Sequence, residues 1–578
     1  MEFNNLIKKV DYQSRFWKKS WDEGLDDLDP SKWEQLGSFA NAIQPIFEKY
    51  PEKNAMSYLG VEITFHELDI YANKFANMLI ENGFQKGDIV AIDLPNIPEY
   101  LISLVGALRA GCIVSGVSPL LSTVQIEYQL NDLGSSGGKI CLVTLDAIFE
   151  ERITKIHHLV KQLKIVVTTN IGDFLPAIKR FLGKLIKKIP KGKVTPLENK
   201  QVLNFHKDVL KIYPDTPVKK DINNEDIAYI QYTGGTTGPP KGAKLTHKNA
   251  LSDLLIVQEW LGWEEGKGVA LSGFPFFHIA GLFFCENCLY LGWQQCLIPN
   301  PRDTAHICDE LEKYKPTALV NVPSLFQILL KEPKFKELDH SNLEYCISAA
   351  SPFPVESQEK LEAIVGEGKL LEVYGMTETS PLTTMNPAQN KKKLGSIGLP
   401  LLNTDLKLIS PDSGEEVQLG DAGEICVRGP QVMEGYLNKP EETKKAIDSD
   451  GYMHTGDVAI MDEEGYLRIV DRTKDMINVS GFKVFSTKVE DTLAKYPGIE
   501  MIALVGIDNP ERPGSEIVKA FIKLTPEYEQ KNRQEIKAEI IEYAKEHCAP
   551  YEVPKIIEIS DEIPMTAVGK IDKKVLRK

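Results

Sequence analysis

TFHELDIYANKFANMLIENG, residues 64–83, followed by DIVAIDL, residues 88–94, decides the architecture. In the first segment the apolar residues recur at helical spacing, with Thr64 placed as an N-cap and Gly83 as a stop. The second reads as a strand. The same exchange of helix and strand recurs through 99–109, 113–117, 123–131 and 139–144, then at 227–232, 317–321 and 345–348. That rhythm predicts an α/β fold, with helices layered around a largely parallel sheet. From about residue 400 the texture changes. Pro411-Asp-Ser-Gly, Gly420-Asp-Ala-Gly423 and Asp462-Glu-Glu-Gly465 punctuate short alternating strands, which predicts a β-rich subdomain over about 400–473. Residues 475–578 then give helix (486–495), strands (500–505, 517–523), helix (533–547) and strand (555–559), a separate α+β domain of about 100 residues.

At 578 residues the chain is long enough for several folding units of about 150 residues each. Its 42% hydrophobic content, with 22 Phe and 20 Tyr, supplies large cores and excludes wholesale disorder. The net charge of −15 repels phosphate backbones, so no nucleic acid is expected as a partner. Nine cysteines without regular spacing fit a reducing compartment. Cys285-Glu-Asn-Cys288 has no second pair at zinc-finger distance, and Phe283, Phe284, Leu289 and Tyr290 around it read as a buried helix, so these thiols are expected to be inert. The N-terminal MEFNNLIKKVDYQ has no apolar signal region, and the most apolar stretch, 97–121, carries Glu99, Arg109 and three glycines. It reads as a core helix and strand and not as a membrane span. A cytoplasmic protein is expected.

Four motifs carry chemistry. Tyr232-Thr-Gly-Gly-Thr-Thr-Gly-Pro-Pro-Lys-Gly242 has three glycines within five residues, Gly234, Gly235 and Gly238, which free the backbone to bring N–H groups close to a ligand. Thr233, Thr236 and Thr237 add hydroxyls and Lys241 a cation, a set suited to polyphosphate. No Gly-x4-Gly-Lys-Ser/Thr spacing can be drawn, and 243–246 reads as strand, so this is not a Walker A loop. A plain surface turn would account for the glycines but not for three threonines and a lysine. Tyr374-Gly-Met-Thr-Glu-Thr379 follows the small-residue run Ser348-Ala-Ala-Ser-Pro352. It offers a flat ring for a purine, the Thr377 hydroxyl for phosphate and the Glu378 carboxylate for Mg²⁺. His454-Thr-Gly-Asp457 and Asp471-Arg-Thr-Lys-Asp475 offer a carboxylate for ribose hydroxyls and an arginine beside it. Each alone also reads as a turn aspartate or a surface ion pair. Pro564-Met-Thr-Ala-Val-Gly-Lys570 holds a lysine after a glycine near the end of the chain.

In this order and spacing the four motifs resemble the adenylate-forming superfamily of acyl-CoA synthetases, peptide-synthetase adenylation domains and beetle luciferases. Within it the chain is most similar to bacterial long-chain fatty acid–CoA ligases, from about residue 30 onward. The most specific stretch is 450–481, DGYMHTGDVAIMDEEGYLRIVDRTKDMINVSG. The resemblance implies ATP, Mg²⁺ and a fatty acid as reactants of a first step and coenzyme A as the acceptor of a second. It implies a large N-terminal domain over 1–473 and a small mobile C-terminal domain over 474–578, hinged at Lys474. The 233–242 loop would grip the ATP phosphates, and Thr233 and Glu378 would hold Mg²⁺. Tyr374, Gly375 and the run Ala349, Ala350, Ser351 would flank adenine, with Thr377 near phosphate, Asp457 on the ribose and Arg472 beside it. Lys570 would contact the carboxylate and α-phosphate in the first step, whereas Ser480, Gly481 and Phe482 would border the pantetheine channel in the second. His278, in Phe274-Pro-Phe-Phe-His-Ile-Ala-Gly-Leu282, matches an aromatic-gate motif beside the reacting carboxylate. Leu282 stands where some long-chain relatives carry a gating tryptophan.

Against the acidic background one basic cluster stands out, PAIKRFLGKLIKKIPK, residues 176–191. Ile178, Phe181, Leu182, Leu185, Ile186 and Ile189 fall at helical intervals, with Lys179, Arg180, Lys184, Lys187 and Lys188 on other faces. Such a helix either lies on anionic lipid, at the inner face of the membrane, or docks on its own domain. Acyl chain length is not encoded locally. A medium-chain or aryl acid CoA ligase, a non-catalytic lipid-binding protein keeping the fold, and a homodimer all stay open.

Overall fold

The computed structural model of the protein describes residues 10–186, 188–233, 239–480, 482–512, 515–565 and 571–577. Thr64 caps the helix Phe65–Glu81 as predicted. Its hydroxyl accepts from the Glu67 N–H at 3.1 Å, and the Glu67 carboxylate accepts from the Thr64 N–H at 2.9 Å. Gly83, at φ +75°, then turns the chain toward the strand Ile89–Asp93. The next helix, Pro98–Arg109, is buried along its whole length, and a Cβ on Gly106 would lie 2.7 Å from the Ala72 carbonyl oxygen of the helix it packs against. Its two charges sit in the core because both are paired. Glu99 accepts from the Thr169 hydroxyl at 2.7 Å and lies 3.1 Å from His206, while Arg109 donates to Asp69 at 2.6 Å and to Asn73 and Gln44 at 3.0 Å. Among the described residues no helix is long and apolar enough to cross a membrane.

Two large sheets share one hydrophobic core. In the first, the parallel strands Ile227–Thr233, Ile113–Gly116, Ile89–Asp93, Ile140–Leu145, Leu163–Thr169 and Gln201–Asn204 lie side by side, and Lys241–Thr246 and Gly435–Tyr436 add antiparallel at one edge. In the second, Asn54–Tyr58, Gln294–Leu297, Val269–Ser272, Ala318–Asn321, Tyr345–Ser348 and Leu370–Gly375 run parallel, with antiparallel strands at both edges. Helices such as His247–Leu261 and Ile279–Leu291 fill the layers, the latter burying Cys285 and Cys288.

The texture change near residue 400 is an antiparallel sheet of Asp405–Ile409, Ala422–Arg428, Met453–Met461 and Leu467–Arg472. Beyond it, Ile499–Asp508, Glu516–Leu524 and Ile556–Ile559 form a small sheet. It is covered by the helices Ser486–Leu493 and Arg533–His547 around a core of its own that includes Val489, Leu504, Ile522 and Ile540. The whole is thus an α/β protein with a large N-terminal domain and a smaller C-terminal one.

The basic segment departs from expectation. Its helix spans only Ala177–Leu185, and Ile189 folds back into the protein instead of extending the apolar stripe. The reason is local. A Cβ on Gly172 or Gly183 would stand 2.8 or 2.5 Å from the Ile189 Cδ1, so two missing side chains make its seat.

Candidate active site

The site is assembled from strand ends. Register across Met453–Met461 and Leu467–Arg472 sets Asp457 opposite Arg472, and the Arg472 Nε donates to Asp457 Oδ1 at 2.7 Å. Tyr374, at the end of Leu370–Gly375, donates its hydroxyl to Asp457 Oδ2 at 2.7 Å. Two of the predicted motifs therefore meet at one carboxylate. Burial, and then the Asp457 charge, raises the Tyr374 phenol well above its usual value, and the same charge raises the Arg472 guanidinium. A carboxylate has about four acceptor positions, so these two bonds leave room for a diol.

Tyr345–Ser348 and Leu370–Gly375 are parallel neighbours, so Ala349, Ala350 and Ser351 leave the sheet beside Tyr374 and Gly375 at the same carboxyl edge. This is where open α/β sheets take ligands. Ala350 is left-handed, at φ +75°. Gly375 is required by space, since a Cβ there would stand 1.8 Å from the Pro381 carbonyl oxygen. The turn Thr377–Thr379 then presents Thr377 and the buried Glu378, and it packs on the strands Ile227–Thr233 and Lys241–Thr246. Tyr436 donates to Glu378 Oε1 at 2.6 Å. Burial pushes the Glu378 carboxyl above the usual carboxylate range, while the Tyr436 hydrogen bond and the Lys241 charge pull it back. Lys241 lies 4.5 Å from the centre of the Tyr436 ring and 3.1 Å from Glu442. Thr233 and Lys241 face each other across the hairpin. Gly234, Gly235, Thr236, Thr237 and Gly238 between them lie outside the described residues.

His278 caps the helix Ile279–Leu291, its Nδ1 accepting from the Ala280 N–H at 3.3 Å. The segment before it is pinned by Asn96, which donates to the Phe274 carbonyl at 2.8 Å and accepts from the Phe276 N–H at 2.9 Å. Tyr100 donates to the Phe276 carbonyl at 2.8 Å. Strand Ile113–Gly116 ends against this segment, because a Cβ on Gly116 would fall 2.5 Å from the Phe277 carbonyl oxygen. Leu282 is fully buried in the main core.

Lys474 follows Arg472 closely in sequence, and burial first, then the Arg472 charge, lowers its ammonium to about 8. Ser480, at φ +53°, donates its N–H to the Ser515 hydroxyl at 2.9 Å and accepts from Arg512 at 3.3 Å. Phe482 is 57% exposed and stacks on Tyr551 with ring centres 4.8 Å apart. Gly481 and Lys570 lie outside the described residues. Just after Lys570, Lys573 pairs with Glu490 at 2.7 Å and donates to the Ser486 hydroxyl at 2.8 Å, and Arg577 pairs with Asp475 at 2.7 Å. Tyr436, Glu442, Asn96, Tyr100, Lys573 and Arg577 carry no signal in the sequence. Each acts on a partner far along the chain, and no spacing rule announces such a pairing.

Residues 43–437 match the family described as AMP-binding enzyme, and 488–570 match the AMP-binding enzyme C-terminal domain. The chain belongs to the AMP-binding enzyme family. This AMP-binding enzyme is 38% identical over 563 residues to a long-chain-fatty-acid–CoA ligase of Escherichia coli O157:H7, covering 95% of each chain. It is also 38% identical over 542 residues to a long-chain-fatty-acid–CoA ligase of Bacillus subtilis (strain 168), covering 90% of this chain and 91% of that one. Among solved structures, ATP-bound MatB from Rhodopseudomonas palustris superposes with a TM-score of 0.78 at 26% identity over 93% of this chain and 98% of that one. The anthranilate CoA ligase AuaEII, in complex with anthranoyl-AMP, gives 0.81 at 24% identity over 95% of this chain and 98% of that one, a likeness of fold.

Proposed function

We propose that this AMP-binding enzyme activates a long-chain fatty acid with ATP and passes the acyl group to coenzyme A. In the first step a carboxylate oxygen attacks the α-phosphorus, the bond to the bridging oxygen breaks and pyrophosphate leaves. In the second the thiol sulfur attacks the acyl carbon, AMP leaves and the thiol proton goes to solvent. The observation that carries this reading is the convergence of Tyr374 and Arg472 on the Asp457 carboxylate, beside the turn that holds Glu378. That arrangement suits a nucleotide with its ribose on Asp457, its base near Tyr374 and the 349–351 run, and its phosphates toward the 233–242 loop and Thr377.

Thr233 and Glu378 offer only hard oxygen donors, the set that Mg²⁺ takes, and Glu378 is a buried carboxylate whose charge an adjoining cation would favour. These two residues would hold the ion, which when bound supplies positive charge to the phosphate oxygens. Lys241 sits close enough to Glu378 to add to the same field. His278 would orient the acyl carboxylate, with Asn96 and Tyr100 holding its segment. Lys570 would bring an ammonium to the reacting oxygens. Ser480, Gly481 and Phe482 would line the thiol's approach after the C-terminal domain turns about Lys474. ATP–pyrophosphate exchange across acids from acetate to oleate tests the reading. Exchange is expected to be strongest with long-chain acids, and exchange confined to aryl or short acids, or to none, overturns it.

A specific observation also favours contact with a lipid surface. On the helix Ala177–Leu185 and its cap, Ile178, Phe181, Leu185 and Ile186 are 75, 68, 68 and 62% exposed, so this apolar face is not docked on the protein. Lys179 reaches the Leu59 carbonyl at 3.4 Å, Arg180 lies 3.6 Å from Asp173 and the half-buried Lys184 is within electrostatic reach of Asp146, whereas Lys188 is exposed and Lys187 lies outside the described residues. We propose that this face enters the headgroup layer of an anionic membrane, where fatty acid is dissolved. Replacing Lys184, Lys187 and Lys188 by Gln should weaken binding to anionic vesicles about a hundredfold, at about 1 kcal/mol per lysine. Phe181→Ser with Leu185→Ser should weaken it further, and neither set should alter turnover of a soluble short acid. Unchanged vesicle binding in both sets would overturn the proposal.

A further inference from the structure

Behind the turn that carries Asp457, three side chains of different chemistry meet at distances that a metal would set. The strands Ala422–Arg428 and Met453–Met461 are antiparallel neighbours whose register puts Cys426 opposite His454. Glu424, two residues before Cys426, points to the same face. The Cys426 Sγ lies 3.6 Å from His454 Nδ1, and His454 Nδ1 lies 3.4 Å from Glu424 Oε2. All three donor atoms fall within 4.8 Å of one another.

A tetrahedral zinc ion with Zn–S of about 2.3 Å and Zn–N and Zn–O of about 2.0 Å holds sulfur and nitrogen about 3.5 Å apart and nitrogen and oxygen about 3.3 Å apart. Of the three separations among these donor atoms, two are already within about 0.1 Å of those lengths. A second observation concerns the far side of the ring. His454 Nε2 faces Asp448 Oδ2 at 3.5 Å, the carboxylate–imidazole arrangement that fixes a ligating histidine and turns its other nitrogen toward a metal. Glu424 is held as well, its Oε1 accepting from the Gly456 N–H at 2.9 Å, so that Oε2 faces the cluster. Cys426 is buried, and among the three donors it is the one shielded from solvent. Sulfur, imidazole and carboxylate together suit zinc and not Mg²⁺ or Ca²⁺.

We propose that Glu424, Cys426 and His454 form a zinc site, with Asp448 orienting His454 and solvent completing the tetrahedron through the partly exposed side of His454. On binding, the Cys426 thiol gives its proton to solvent and the thiolate bonds to the metal; no electrons change hands. Glu424 also holds Gly456, the residue before Asp457, so an occupied site braces the turn that carries that carboxylate.

Cobalt(II) titration of the reduced, metal-free full chain tests this. One equivalent should produce a thiolate-to-cobalt charge-transfer band, and zinc should remove it by displacement. Cys426→Ser should abolish the band, and Cys548→Ser, at the one half-buried cysteine, should keep it. Asp448→Asn should keep the band while weakening affinity about tenfold to a hundredfold. No band in the folded wild type, a band that survives Cys426→Ser, or one lost in Cys548→Ser would overturn the proposal. Should Cys426→Ser fail to fold by circular dichroism, Glu424→Gln replaces it. Weaker cobalt binding then supports the site, and undiminished binding refutes it.

Discussion

Glu378→Gln is expected to lower the rate of acyl-adenylate formation about a hundredfold to a thousandfold, the usual cost of removing one fixed electrostatic stabiliser of a charged transition state. The carboxamide keeps an oxygen that can accept from Tyr436, now 2.6 Å from the carboxylate, and it fills the same volume. The fold should therefore survive, with a thermal midpoint within a few degrees of wild type. What is lost is one negative charge in a buried turn that packs on the strand ending at Thr233. On the proposed mechanism, a divalent cation beside the triphosphate would then lose the carboxylate that anchors it. The pH profile gives an independent reading. Burial raises the Glu378 carboxyl, so the protonated form persists above the ordinary carboxylate range and only the ionised form carries the needed charge. Wild-type adenylation should accordingly rise as pH climbs through that raised value, and the rising limb should vanish in the Gln variant. Pyrophosphate exchange at saturating Mg²⁺ measures both effects. An undiminished rate would remove Glu378 from the mechanism.

The second large effect is expected for Lys570→Ala. Adenylation should fall by about two to three orders of magnitude, while thiolation of a supplied acyl-adenylate should stay near wild type. Attack of a carboxylate on a phosphorus already carrying negative oxygens brings like charges together, and an ammonium at that point offsets the charge as it builds. On the proposed mechanism, the thiol of the second step would need the space that the ammonium takes in the first. The residues that follow Lys570 are anchored inside the small domain by Lys573 with Glu490 and Ser486 on the helix Ser486–Leu493, and to the residue after Lys474 by Arg577 with Asp475. A swing of the small domain about Lys474 would carry the lysine with them. Equal loss in the two half-reactions would show that Lys570 is not specific to the first.

Much of this molecule is legible in its sequence. The capped helix after Thr64 and the buried helix with Glu99 and Arg109 appear where periodicity and turn residues put them, and the α/β class with a smaller C-terminal domain follows from the same patterns. The errors of extent are small and local. The helix expected over 486–495 ends at Leu493, and the strand expected over 500–505 continues to Asp508. The basic helix stops at Leu185, six residues early, because Ile189 finds a seat against Gly172 and Gly183 that no helical spacing reveals.

The amino-acid sequence by itself determined the elements, the family and the types of residue at the candidate site. Capping, apolar period and glycine turns act over a few residues, and the motifs are contiguous. Tertiary structure alone decided which of these residues meet. Tyr374 and Asp457 come together across 83 positions, Tyr436 reaches Glu378 across 58, and Cys426 stands opposite His454 across 28. It also decided that Ile178 and Phe181 face outward. The reason is that strand order does not follow chain order, and register is set by burial of whole sheets against a common core. A contact between strand ends is therefore a property of the packed layers and not of either strand.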